Sequence, residues 1–199
     1  MPMIQRLAQL YAGLLLYGLS MALMVQASLG LGPWDVFHDG VRDHTGLSFG
    51  TVVILTSVAV LLFWIPLRQM PGLGTISNAL LVGAFADLGL WLIPEGEPLS
   101  VRVVMLVSGV GLNGVASAMY LGSRLGPGAR DGLMTGLVRK TGGSVGKVRT
   151  ALELTVLAVG LLLGGSAGLG TILYALSIGP LIQLMLPAFS PRRPVPATV

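Results

Sequence analysis

Apolar runs of about 20 residues, separated by linkers that hold nearly all of the charge, decide what this chain can fold into. A helix needs that length to cross roughly 30 Å of hydrocarbon, and inside it every backbone polar group is satisfied within the segment. Runs bounded by Gly, Pro or charge predict spans over 7–27, 50–67, 73–93, 101–123, 148–165 and 169–186. Only 10% of the residues are charged and the mean hydropathy is +0.84, against roughly 25% charged in a soluble domain. One membrane domain is therefore expected to use residues 1–199, with 190–199 as a short cytoplasmic tail. Arg6, the apolar stretch behind it and Val25-Gln26-Ala27 imitate a cleavable signal. The stretch is long enough to span and has a partner in the internal repeat, so it is read as the first crossing.

Basic residues set the orientation. With the N-terminus in the cytoplasm, ten of the twelve Lys and Arg fall inside, leaving Arg42 and Arg102 outside, as the positive-inside rule requires. Both termini are then cytoplasmic, in a bacterial inner membrane. The +4 net charge sits at helix ends rather than in one dense patch, so topology explains it better than a nucleic-acid partner. The chain has no Cys and two His, which gives no disulfide framework, thiolate nucleophile or metal cluster. No enzyme motif stands out, and no cofactor is expected.

Two long linkers, Ser28 to Phe49 and Arg124 to Lys147, each hold a helix too short to span. Each begins with a Gly-Pro step, Gly32-Pro33 or Gly126-Pro127, and ends at Thr45-Gly46 or Thr141-Gly142. Pro is suited to the first position of a helix because its missing N–H has no partner there. An offset of 96 residues aligns Asp35 to Ile93 with Asp131 to Phe189 without a gap, and roughly a third of the pairs are identical. Gly72-Leu73-Gly74-Thr75-Ile76 recurs as Gly168-Leu169-Gly170-Thr171-Ile172. An offset of 94 pairs the Gly-Pro steps and Ala22 with Ala116. Three crossings per unit is an odd number, so the second copy enters the membrane from the other side. The expected fold is an all-α membrane protein of six transmembrane helices as two inverted repeats, 7–93 and 101–189, each with a short helix after its first span. That symmetry occurs in transporters.

Candidate chemistry gathers at the starts of the short helices: Gly32, Pro33, Trp34 and Asp35 in one, Gly126, Pro127, Arg130 and Asp131 in the other. If these helices are re-entrant, their free N–H groups and positive dipole ends face a polar path; if they lie along the interface, each Asp only caps its own helix. Asn113, about 18 Å along its span at roughly 1.5 Å per residue, and Tyr17 join the candidates for substrate or ion binding. Asp87 and Glu153 are secondary intramembrane polar candidates. Asp87 suits hydrogen bonding, and Glu153 lies four residues after Arg149, where the two can pair. His38, Asp39, Asp43 and His44 imitate a metal site but fit a solvated outer face better. Gly160 and Gly164 form a small-xxx-small pair suited to close packing or dimerisation.

Leu31-Gly32-Pro33-Trp34-Asp35, with Gly126-Pro127-Gly128-Ala129-Arg130-Asp131-Gly132-Leu133-Met134, resembles the YczE/YitT-like bacterial membrane proteins over nearly the whole chain. Ala129 stands where Pro is frequent in the YczE branch. The resemblance implies the fold and the location, without the soluble C-terminal domain that the YitT branch adds. The function expected is transport or export of a small polar or anionic solute, at a site between the repeats. The alternative is an accessory membrane subunit or scaffold acting through a partner. The bilayer is the certain partner under either reading, and a homodimer or a second membrane protein is the further one to be considered.

Overall fold

The computed structural model describes residues 2–190; the expected tail beyond Ser190 lies outside them. All the regular structure among the described residues is helical. The first half runs α1 (Met3–Ala27), α2 (Pro33–Thr45), α3 (Phe49–Leu62), α4 (Trp64–Leu67) and α5 (Leu73–Leu92). The second runs α6 (Leu99–Gly122), α7 (Ala129–Thr141), α8 (Val145–Leu162) and α9 (Leu169–Phe189). The one-turn α4 continues α3, so that Phe49–Leu67 counts as one long apolar segment. Five segments are long and apolar enough to cross a membrane: α1, α3 with α4, α5, α6 and α9. The sequence places a sixth crossing on α8, but Lys147, Arg149 and Glu153 give that helix a more polar composition.

Helix starts follow ordinary capping chemistry. Ser48 and Ser144 accept hydrogen bonds from Thr51 N and Lys147 N at the starts of α3 and α8, which satisfies one of the orphan donors there. Thr75 and Thr171 accept at Oγ1 from Gly72 N and Gly168 N, at 3.2 and 3.1 Å. Each of these pairs is separated by 96 residues.

The same offset governs the packing between halves. Gly74 N donates to Leu125 O at 2.8 Å, and Gly170 N to Leu29 O at 2.8 Å. Arg6 donates from Nε to Ser123 O (2.8 Å) and from Nη2 to Arg124 O (2.9 Å). Arg102 does the same to Ala27 O and Ser28 O, both at 2.7 Å. A guanidinium thus covers the orphan carbonyls at the end of the opposite long helix, where the negative end of the dipole favours a cation. The turns after those ends need glycine: Gly30 and Gly126 have φ of +115° and +128°, and a Cβ would come within 2.6 Å of Gly168 N or 2.7 Å of Thr75 Oγ1.

This corrects the offset of 94 read at the Gly-Pro steps. Pro33 does open α2, after Gly32 as N-cap. Pro127, in contrast, precedes the N-cap Gly128, and α7 opens at Ala129. Backbone conformation matches Gly30 with Gly126 and Gly32 with Gly128, so one offset runs through the whole chain.

Four helices form the centre: α1 lies along α6 and α5, and α6 along α9. The short helices cross to the opposite half, α2 packing on α8 and α7 on α3 and α4. These two crossings are matched by size. At one, Trp64 of α4 fills the space over Gly132, where a Cβ would fall 1.9 Å from its ring. Its Nε1 donates to Ala129 O at 3.0 Å. At the other, the equivalent of Trp64 is Gly160, and the backbone at Val36 and Phe37 packs onto it. Gly160 therefore serves close packing within the chain, and Gly164 lies past the end of α8 with φ +80°.

One contact is not reproduced in the second half. Between α3 and α5, a Cβ on Gly50 would lie 2.0 Å from Gly83 O, and one on Gly83 2.3 Å from Gly50 O. Asp87 seals the junction, accepting from Gly50 N at 2.7 Å and Ser48 Oγ at 2.5 Å. At the equivalent Gly146 and Gly179, a Cβ would meet nothing within 4 Å: α8 stands off from α9.

Gly132→Ala is expected to lower stability by about 1–3 kcal/mol, because the indole of Trp64 has no room to yield. Gly146→Ala is expected to be neutral or slightly stabilising. Thermal unfolding in detergent, followed by circular dichroism, checks both.

Candidate functional site

The chain reverses at Gly30 and again at Gly126, which aims the first turns of α2 and α7 at one another. Trp34 and Arg130 occupy the second position of their helices, 96 residues apart, and they meet: the Arg130 Cζ lies 5.0 Å from the centroid of the indole. Around this stack is a cavity of about 210 Å³. Its walls are Tyr17 of α1, Ser57 of α3, Asn78 and Val82 of α5, Ser117 and Tyr120 of α6, Arg149 and Glu153 of α8, and Tyr174, Gly179 and Gln183 of α9. Residues of both α8 and α9 line it where those two helices stand apart.

Each carboxylate here has a partner. Asp35, buried to 4% exposure, accepts from His38 Nδ1 at 3.3 Å. Burial lowers the pKa of His38, with the Asp35 hydrogen bond opposing it, so the ring is neutral at neutral pH and donates as an ordinary imidazole N–H. Asp131 accepts from the Tyr120 hydroxyl. Glu153 accepts from Arg149 Nε at 3.0 Å. Arg130 Nη2 lies 3.8 Å from Asp35 Oδ1, near enough to attract it and too far for a hydrogen bond.

A hydrogen-bond chain ties the wall to the centre. Tyr174 donates to Asn113 Oδ1 (3.1 Å), Asn113 Nδ2 to Ser20 Oγ (2.8 Å), and Ser20 Oγ to Tyr17 O (2.6 Å). Asn113 is fully buried and joins α9, α6 and α1 from behind the cavity wall.

Of the residues singled out in the sequence, Tyr17, Gly32, Pro33, Trp34, Asp35, Arg130, Asp131 and Glu153 line the cavity. Gly126 and Pro127 do not; they form the turn before α7 and hold α5, with Pro127 O accepting from Thr75 Oγ1 at 2.7 Å. Asn113 acts through Tyr174, and Asp87 serves the α3–α5 junction. The His38, Asp39, Asp43 and His44 group is dispersed among other partners. Asp39 pairs with Arg42 at 2.9 Å and accepts from Ser166 N at 3.0 Å, while His44 Nδ1 bonds to Gly40 O. Among the described residues no group of three or more His, Cys, Asp or Glu could hold a metal ion. Sequence reasoning missed Tyr120, Tyr174 and Asn78. A signal was present: Asn78 with Tyr174, and Tyr17 with Asn113, are polar pairs inside spans at the repeat offset.

Residues 4–187 match the model of a family of unknown function, DUF6198. The chain belongs to that family. It is similar to an uncharacterized protein of Haemophilus influenzae, with 38% identity over 85% of this chain and 78% of the relative. It is also similar to the uncharacterized membrane protein YczE of Bacillus subtilis, with 33% identity over 89% of this chain and 83% of the relative. The uncharacterized protein YyaS of the same organism is 27% identical over 88% and 89% of the two chains. No solved structure matches. The YczE-like resemblance is thereby shown, and with the long apolar helices it makes this a multi-pass membrane protein.

Asn113→Ala leaves the hydroxyls of Ser20 and Tyr174 without their buried partner. The expected loss is about 1–3 kcal/mol, read as an earlier unfolding midpoint in detergent, and Ser20→Ala in that background should cost little more.

Proposed function

We propose that this protein is a small-solute carrier or exporter of six crossings, arranged as two inverted repeats, which exposes the central cavity to one side of the membrane at a time. Under this reading α8 is the sixth crossing: Arg149 and Glu153 pair with each other at the cavity wall, which lessens the cost of charge within the bilayer. The chain lies in a bacterial inner membrane with both termini cytoplasmic. The Gly50–Gly83 junction is then at the outer side, and the Gly146–Gly179 gap at the cytoplasmic side.

The observation that carries the reading is the unequal state of two identical glycine pairs. Gly50 and Gly83 are in backbone contact, whereas Gly146 and Gly179, the same residues one repeat later, face open space. Inverted repeats with a site at their interface move solutes by exchanging such states between halves. On this reading the α8–α9 gap gives access from the cytoplasm; the mirror state would join α8 to α9 through Gly146 and Gly179 and release α3 from α5.

Spin labels test this, since the chain has no native Cys. Lys147→Cys with Leu184→Cys reports the α8–α9 gap, and Thr51→Cys with Leu88→Cys the α3–α5 junction. In lipid nanodiscs each pair is expected to give two distance populations by pulsed electron–electron resonance. Adding Gly179→Leu, which has room in the present state, should leave the first pair only its long distance. A single distance at both pairs, unmoved by Gly179→Leu, would remove the carrier reading and favour the accessory-subunit one.

A further inference from the structure

We infer that the solute taken by this cavity carries an oxyanion, a carboxylate or a phosphate, and that Arg130 is the residue that binds it. The inference rests on the carrier reading for the idea of a solute, but its chemistry follows from how the charges in the cavity are already spent. Asp35 is engaged by His38, Asp131 by Tyr120 and Glu153 by Arg149. Arg149 is engaged in turn by Glu153. Among the described residues Arg130 alone of these five charged groups makes no hydrogen bond, and its nearest carboxylate oxygen stays at 3.8 Å.

Geometry says which part of Arg130 is available. The Arg130 Cζ sits 5.0 Å from the centroid of the Trp34 ring, an arrangement that holds the guanidinium against the indole through the quadrupole of the ring. With its nearest carboxylate oxygen 3.8 Å away, the guanidinium keeps its N–H donors free, and a planar fork of two parallel N–H bonds is what carboxylates and phosphates accept. The side chain remains about one quarter exposed, to the cavity.

Two further features favour an anion. The first turns of both α2 and α7 end at this cavity, and each contributes the positive end of its dipole. In addition, the place a cation would seek, between the Trp34 face and Asp35, is held by Arg130 itself. A cationic solute would have to displace a tethered guanidinium from both contacts. The hydroxyls of Tyr17 and Tyr174 and the amide of Asn78 on the same walls can bond the rest of a small polar molecule. A cavity of about 210 Å³ limits it to the size of a simple organic acid or inorganic phosphate.

The full chain in nanodiscs supplies the test, with Trp34 as reporter because its ring lies 5.0 Å from the Arg130 Cζ. Tryptophan emission is titrated with acetate, succinate and inorganic phosphate as the oxyanion arms, and with tetramethylammonium chloride as the cation arm. At least one oxyanion is expected to change the emission saturably, and which arm does so tells carboxylate from phosphate. Arg130→Gln should weaken that binding tenfold or more, the usual loss for a charge-assisted pair. Arg130→Lys, which keeps the charge and loses the fork, should fall between, and it guards against a folding defect in the first variant. Trp34→Phe should abolish the signal while leaving an anion-induced rise in melting temperature.

Saturable binding of tetramethylammonium in the absence of any oxyanion response overturns the inference. So does oxyanion binding that is unchanged in both Arg130 variants, or no saturable response to any oxyanion. Uptake of the bound oxyanion into proteoliposomes separates this from the carrier reading: Arg130-dependent binding without uptake ends the carrier and leaves the anion site standing. Uptake that Arg130→Gln does not slow does the opposite.

Discussion

The reversal of the chain after each of its two longest helices is the constraint on which the remainder of the molecule rests. At Gly30 and Gly126 the backbone takes a left-handed turn that a side chain would obstruct, and the carbonyl just before each turn receives an amide from the opposite half. An arginine from that same half closes the helix end above it. Because both turns are built against the other repeat, neither half can set its short helix without its counterpart. The first turns of α2 and α7 are thereby brought face to face, and the cavity is the space they leave.

Much of this was legible in the sequence. The identity of Gly72-Leu73-Gly74-Thr75-Ile76 with its copy marks a segment whose backbone is the contact itself, so substitution is felt at once and the letters stay the same. Trp34, Asp35, Arg130 and Asp131 were visible because charge and aromaticity at the start of a short helix demand an explanation. The tyrosines were less visible. Tyr120 and Tyr174 sit in apolar runs, where a tyrosine passes for lipid-facing surface, and their hydroxyls acquire meaning only through Asp131 and Asn113, which are distant in sequence or on another helix.

Other features could not be read from one string. Identical letters at Gly50 and Gly146, and at Gly83 and Gly179, give no sign that one pair is in contact and the other apart, because sequence records what a position permits and not which of two packings it occupies. The two-residue slip at Pro127 has a similar origin. A Gly-Pro step looks like a helix start, yet the φ angles that define the turn belong to the glycine before it in one copy and to Gly126 in the other. Conformation, and not spelling, sets the correspondence.

The size match at the two helix crossings has a consequence of its own. Trp64 lies against Gly132, while Gly160 lies against Val36, so a bulky residue in one half has come to face a small one in the other. Two copies of the first half would set an indole against Val36, and two copies of the second would set glycine against glycine and leave a void. Whatever the ancestral unit was, its descendants have become lock and key, and a gene for either one alone no longer encodes a partner for itself.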